Sequence, residues 1–292
     1  MQQIPGVEAR FINFDNYRLK YKSKRQKVGN FFSKKFTGKN IKKEYITTKI
    51  IEALEPAGHQ DVILVLRPDK LQIKLLKHLK HNCDRFLGWY FDAITKFPKK
   101  QELIPLFDKV YSYEPCDVKG YDLDFLPNFI PFDCDAAPAG RGVFNVSSYD
   151  ERFEIIEGIA KYLSKKNYPY NIIVRSDKGT TSDHVEIIEK NIPLDNVKEL
   201  ITDCKILLDV QKEDQGGLTF RVFESLGLGK KLITTNQNVK NYDFYDPNNI
   251  LVLNKKSIEI PTEFLDCPYK PISEEILSKY RRRGWINKVF EI

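Results

Sequence analysis

The stretch "KILLDVQKEDQGGLTFRVFESLGLGKKLITTN", residues 205–236, reads as strand, turn, helix and strand. "KILLDV" (205–210) and "KLITT" (231–235) are short, nearly continuous apolar runs, as expected of strands buried on both faces. Between them, "LTFRVFESLGLG" (218–229) spaces Phe220, Phe223 and Leu226 helically and ends on glycine. Parallel strands need such a crossover. Gly216 and Gly217 stand where the helix opens, and unpaired N–H groups at that end favour an anion such as a diphosphate. Glycine there lets a ligand approach the backbone without a Cβ in the way. The spacing i, i+4, i+7 predicts Gly217, Arg221 and Glu224 on one face. Phosphate donors would sit at the mouth, a guanidinium one turn in, and a carboxylate for both ribose hydroxyls two turns in. That order suits a nucleotide diphosphate sugar. The alternative is an ordinary surface ion pair between Arg221 and Glu224.

The same alternation extends outward. In the C-terminal half, "GVFNVSS" (142–148), "YNIIVRS" (170–176) and "NILVL" (249–253) read as strands. "ERFEIIEGIAKYLSKKN" (151–167) and "LDNVKELITDC" (194–204) read as helices, and the tail 272–292 as one or two more. In the N-terminal half the predicted strands are "ARFINF" (9–14), "DVILVLR" (61–67), "RFLGWYFD" (85–92) and "KVYSYE" (109–114). The predicted helices are 41–58, 69–82 and a short one near 99–107. "DCDAAPAGRG" (133–142), rich in small residues, Pro and Gly, is the expected linker. The expected fold is therefore α/β: two Rossmann-like domains facing a cleft, 1–138 and 139–271. The helical tail 272–292 is expected to pack back toward the first domain.

Composition narrows the function classes. The chain has 292 residues, 41% hydrophobic and 30% charged, which is a globular composition. Its apolar runs are too short to span a bilayer, and "MQQIPGVEARF" lacks the pattern of a signal peptide. The five cysteines are scattered without a CxxC pair, which predicts a reduced, cytosolic protein with no disulfide framework or zinc site. The net charge of +7 is unevenly placed: residues 20–43 hold ten Lys/Arg and no acid, with Phe31, Phe32 and Phe36 among them. Three readings stay open for that stretch: a solvated loop and helix face, an anionic membrane surface, or nucleic acid.

Asp92 closes a predicted strand, where a general base for a sugar hydroxyl belongs, although an acid there also caps the next segment. Arg67 and Asp69 in "LRPDK" close a neighbouring strand and could touch an acceptor, or simply make a turn and helix start. No metal site is expected: "DLD" (122–124) is a very weak motif, and His78 and His81 lack a third ligand.

The segment 204–253, with its LD strand, Gln-x-GLTxRxxE, "KLITTN" and "YDFYDPNNI", resembles the donor half of bacterial glycosyltransferases with the GT-B fold. The CgeB-like group acting in capsule or lipopolysaccharide biosynthesis is the more specific resemblance, and it extends through the tail and back through 107–132 and 61–71. It implies that Gln215, Gly216, Gly217, Thr219, Arg221 and Glu224 hold the donor nucleotide and diphosphate. Many retaining members carry two glutamates eight positions apart; here Gly216 stands eight before Glu224. GT-B N-terminal domains usually begin with a strand, a glycine turn and a helix. Residues 2–15 look like the end of that helix and the second strand, so the first strand and helix are expected to be absent.

The resulting expectation is a metal-independent glycosyltransferase with no cofactor beyond its nucleotide-sugar donor. Its acceptor would be a surface polysaccharide or lipid-linked glycan, in the cytoplasm or at the inner membrane face. The rivals are a non-catalytic, truncated nucleotide-sugar-binding relative and a basic nucleic-acid-binding protein. No recognition-helix or RNA motif supports the last, so no nucleic acid is expected.

Overall fold

The computed structural model describes residues 4–37, 39–90, 92–94, 98–132 and 140–292. They form two units, Met1–Leu126 and Pro127–Ile292. Most of the linker expected at 133–142 lies outside the described residues.

The first unit opens with α1 (Lys24–Phe36) and α2 (Ile41–Leu54), N-capped by the side chains of Ser23 and Asn40. A four-stranded parallel sheet follows, in the order β1 (Gln60–Leu66), β2 (Cys83–Tyr90), β3 (Lys109–Ser112) and β4 (Asp124–Phe125). Crossovers run through α3 (Ile73–His81), a 3-10 helix at Pro98–Leu106 and α4 (Pro115–Tyr121). Leu75, Leu76 and Leu79 of α3 share one helical face and bury with Phe86, Tyr90 and Val110 of the sheet.

One expected strand is absent. Residues 9–13 pair with no strand, and Phe14–Asn16 is a 3-10 turn in which the Asp15 N–H donates to the Asn13 side chain. Apolar alternation specifies a strand only where a neighbouring strand accepts its backbone. Here Ile12 and Phe14 instead lay their side chains against the core. Among the described residues no strand precedes Gln60, so β1 ends the sheet.

The second unit is a six-stranded parallel sheet. Its strands are β5 (Val143–Ser148), β6 (Tyr170–Arg175), β7 (Glu186–Ile188), β8 (Ile206–Asp209), β9 (Lys231–Thr234) and β10 (Ile250–Val252). The order β10-β9-β8-β5-β6-β7 reverses direction between β5 and β8. Helices α5 (Phe153–Lys165), α6 (Leu194–Asp203) and α7 (Phe220–Gly227) are the crossovers. Alternate strand residues serve opposite faces: Ile206 and Leu208 pack with Ile156, Ile159 and Leu163 of α5, while Leu207 packs with Val222, Phe223 and Leu226 of α7. A strand buried on both faces needs apolar residues throughout, which is why these runs are continuous. The chain enters β5 through Gly142 at φ 71°, where a Cβ would also collide with the Pro169 carbonyl.

Three short helices finish the unit: α8 (Thr262–Asp266), α9 (Glu274–Tyr280) and α10 (Arg282–Phe290). Two lysines at strand starts hold the end of α8. Lys231, 1% exposed, donates to the carbonyls of Phe264 (2.6 Å) and Cys267 (3.2 Å) and lies 4.1 Å from the Phe264 ring centroid. Lys205 donates to the carbonyls of Leu265 (2.6 Å) and Asp266 (3.0 Å). The ammonium groups thereby satisfy carbonyls that the helix end leaves unpaired. The tail is tied within the unit by Ile130 N–H to the Tyr280 carbonyl (2.8 Å) and by Trp285 Nε1–H to the Pro127 carbonyl (3.1 Å).

Candidate active site

In an open parallel sheet, ligands bind beyond the carboxyl ends of the strands where the strand order reverses. In the second unit that point lies between β5 and β8, and the loops leaving both strands carry cations. Arg152 follows β5. Its Nε and Nη2 grip both oxygens of Asp150 (2.8 and 2.7 Å), and its Nη1 donates to the Val210 carbonyl beyond β8 (3.2 Å). Lys212 lies 3.4 Å from the same Asp150 carboxylate, and Lys255 Nζ donates to the Gln211 carbonyl (3.3 Å). Burial opposes ionisation of Asp150, but the Arg152 hydrogen bonds and charge, with Lys212, hold its carboxyl below the usual carboxylate range. Two cations, Arg152 and Lys212, thus meet around one carboxylate at the switch point, with Lys255 against the carbonyl of the adjoining loop.

The turn between β8 and α7 is latched from behind. Asn236, buried beyond β9, donates to the Gly216 and Gly217 carbonyls (both 3.2 Å), and Asn238 donates to Gly216 (2.9 Å). Gln215 offers its carbonyl to the Gln211 side chain. Thr219 stands at the N-cap position of α7 without capping it; its hydroxyl donates to Asp209 Oδ1 (2.8 Å). The Thr234 hydroxyl donates to the other Asp209 oxygen (2.9 Å). Burial pushes the Asp209 carboxyl up, and the two threonine hydroxyls oppose that.

Two sequence expectations change here. The helix starts at Phe220, so Gly217 lies in the turn before it and is not on a helical row with Arg221 and Glu224. The threonine–aspartate bond and the asparagine latches hold residues 216–219 in the turn, which delays the helix. Arg221 and Glu224 do share a face, but they pair with each other at 2.8 Å, with Arg221 5.7 Å from the Phe144 ring centroid. At 14% and 17% side-chain exposure this is not an ordinary surface pair. The contact is coulombic, with angles outside hydrogen-bond range: Arg221 Nη1 and Glu224 Oε2 are both buried without a hydrogen-bond partner. Burial pushes the Glu224 carboxyl up while Arg221 counters it.

The first unit gathers its three candidates into one cluster. Arg67, in left-handed backbone at φ 59°, clamps Asp69 with Nε (3.0 Å) and Nη2 (3.1 Å). Its Nη1 reaches Asp92 Oδ2 (2.8 Å). These residues leave the carboxyl ends of the adjacent strands β1 and β2, which is why residues 25 apart meet. Among the described residues, no group of three His, Cys, Asp or Glu could hold a metal ion. Asp124 of "DLD" faces Lys109 at 3.5 Å, and Asp122 ends α4 in left-handed backbone.

Arg152 and Lys212 carry no distinctive motif, and their convergence comes from strand order. The available signal is a cation just beyond each of two strand ends.

No family model matches the sequence, and no curated protein matches it. Solved structures do. TarM matches with a TM-score of 0.55 at 13% identity, over 84% of this chain and 58% of its own. The apo structure of OtsA gives 0.54 at 10% identity, over 86% and 76%. An α,α-trehalose-phosphate synthase (UDP-forming) from Burkholderia xenovorans, in complex with glucose-6-phosphate, gives 0.52 at 11% identity, over 94% and 79%. These are glycosyltransferases of GT-B fold, and the likeness shows that α/β fold for this chain. The chain is similar to 58% of the length of TarM.

Proposed function

We propose that this chain transfers a sugar from a nucleotide-activated donor to a hydroxyl of a glycan acceptor. The observation that supports this best is the cation-lined switch point of the second unit. A donor diphosphate placed there meets Arg152 and Lys212, together with the backbone N–H groups that open α7. Those groups stabilise the charge that grows on the leaving diphosphate, so no metal ion is needed for that task. Residues 215–217 and Thr219 line the turn against the donor, and Glu224 exchanges Arg221 for the ribose hydroxyls. Asp92 is the base on the acceptor side, with Arg67 and Asp69 contacting the acceptor. The acceptor oxygen bonds to the anomeric carbon, the bond from that carbon to the diphosphate oxygen breaks, and the hydroxyl proton passes to Asp92. We place the acceptor among surface polysaccharides and lipid-linked sugars, and the reaction in the cytoplasm, where nucleotide sugars are made.

The test is a thermal-shift and calorimetric screen with UDP, GDP, TDP, CMP and their sugars, on the wild type, Arg152→Ala and Glu224→Ala. UDP comes first, because one fold neighbour is described as UDP-forming. One nucleotide should stabilise the wild type, and Arg152→Ala should weaken it about tenfold or more, as loss of a charge-assisted contact does. A folded protein that no nucleotide stabilises would end the donor-site reading. Binding without donor hydrolysis or transfer would instead favour the non-catalytic nucleotide-sugar-binding alternative.

A further inference from the structure

Helix α1 is built inside out. Its inward positions are Gln26, Asn30 and Ser33, and all three are held by polar contacts. Asn30 is buried, donates to the Tyr21 hydroxyl (2.9 Å) and accepts from the Ile41 N–H (2.9 Å). Gln26 accepts from the Lys22 N–H (2.7 Å), and the Ser33 hydroxyl lies 3.2 Å from that of Thr37. At 100° per residue, these contacts turn Val28, Phe31 and Phe32 outward, with Phe36 on the flank. Their exposures are 53%, 64%, 52% and 74%. Lys24, Arg25, Lys27, Lys34 and Lys35 are exposed around them. A soluble helix ordinarily places its apolar stripe against the core; this one spends its polar residues there and gives its aromatics to the outside.

We infer that α1 is an interfacial anchor for a bilayer carrying anionic lipid. Charge points to that partner. Residues 20–43 carry ten cations and no acid, so against a whole-chain charge of +7 the remaining chain is net negative by three. The entire positive excess therefore sits on one segment. The apolar side chains enter the headgroup–acyl boundary, and the lysines reach back to the phosphates on flexible stems. A nucleic acid fits less well. The uncharged hydrogen-bonding side chains Gln26, Asn30 and Ser33 face inward, and the rings engage each other instead of standing open for bases. Phe31 meets Phe32 edge to face at 5.7 Å, and Phe32 lies parallel to Phe36 at 6.2 Å. Among the described residues no helix is long and apolar enough to cross a membrane, so this contact is one that lies on the surface. The inference rests on α1 alone and stands apart from the donor site.

Vesicle flotation tests it, with neutral phosphatidylcholine vesicles and with vesicles containing about a third phosphatidylglycerol. The variants are the triple Phe31→Ser, Phe32→Ser, Phe36→Ser and the double Lys34→Glu, Lys35→Glu. All five side chains are exposed, and circular dichroism checks the fold. The wild type should float with anionic but not neutral vesicles. The triple should lose about tenfold or more in binding, and the double should lose binding with a reduced salt dependence. Wild-type protein that stays off anionic vesicles at low salt overturns the inference. So does a triple that binds like the wild type. Tighter binding to a single-stranded oligonucleotide than to vesicles would assign α1 to nucleic acid instead. Self-association in sedimentation velocity, abolished by the triple and without vesicle binding, would assign it to a second copy of the chain.

Discussion

Glu224 and Asp209 are carboxyls that the fold keeps out of water, and each has a measurable consequence. Burial raises the Glu224 carboxyl, so its folded pKa lies above its unfolded value of about 4.3. Between those two values the folded chain keeps a proton that the unfolded chain has lost. Stability therefore falls as pH rises through that window and contributes no further slope above it. Glu224→Gln cannot ionise, so urea midpoints measured from about pH 4 to pH 8 should fall less steeply in that variant than in the wild type. Asp209 holds two buried hydroxyls, those of Thr219 and Thr234. Asp209→Ala strands both and should cost about 1–3 kcal/mol for each hydroxyl left unsatisfied, read from the urea midpoint. Asp209→Asn, which keeps an acceptor, should cost less. At this scale the sequence was legible in part. It picked out Arg221 and Glu224 as sharing a face, because helical period alone requires it. The same spacing offered their ion pair as the alternative, but the burial of that pair and the turn of Thr219 toward Asp209 depend on tertiary packing, which no spacing rule encodes.

The βαβ units are held by close approaches as well as by apolar burial. Gly227, in the last turn of α7, faces Ile130; a Cβ there would run into the Ile130 Cγ2 well inside contact distance. Ile130 is stiff and buried, so it has little room to yield. Gly227→Ala should therefore destabilise the chain by about 1–3 kcal/mol despite its better helix propensity. Ile130→Ala alone should cost about 2–5 kcal/mol through its cavity. The double variant should lose less than the two together, and a cycle of chemical denaturations measures that coupling. Strands were the most legible elements. Runs buried on both faces announced β5, β6, β8 and β9, and observed bounds fall within a residue or two of the apolar stretches. "ARFINF" failed because its alternation met no neighbouring strand, and β4, two residues long, is too short to carry a period. The stretch that forms α1 left three readings open in the sequence, and the polar face it turns inward was not among them, since periodicity arguments assume that apolar residues go inside.

For the molecule as a whole, the α/β class was legible because strands and helices alternate along the chain. The strand order was not: β5 and β8 are neighbours although β6 and β7 lie between them in sequence. That one adjacency brings Arg152 toward Val210 and Lys212, so the candidate donor site is a property of topology more than of any motif. The sealed Lys231 shows another property at this scale. Its nitrogen is enclosed by the Phe264 ring and the carbonyls that end α8. An amine-reactive reagent should label the exposed lysines of α1 at once and reach Lys231 only when the second unit opens. Peptide mapping over time should show Lys231 lagging far behind, at a rate that tracks unfolding as denaturant is raised; prompt labelling in the native state would contradict the enclosure. The chain thus carries its own clock, a built-in chemical tag whose acylation dates each opening of the second unit.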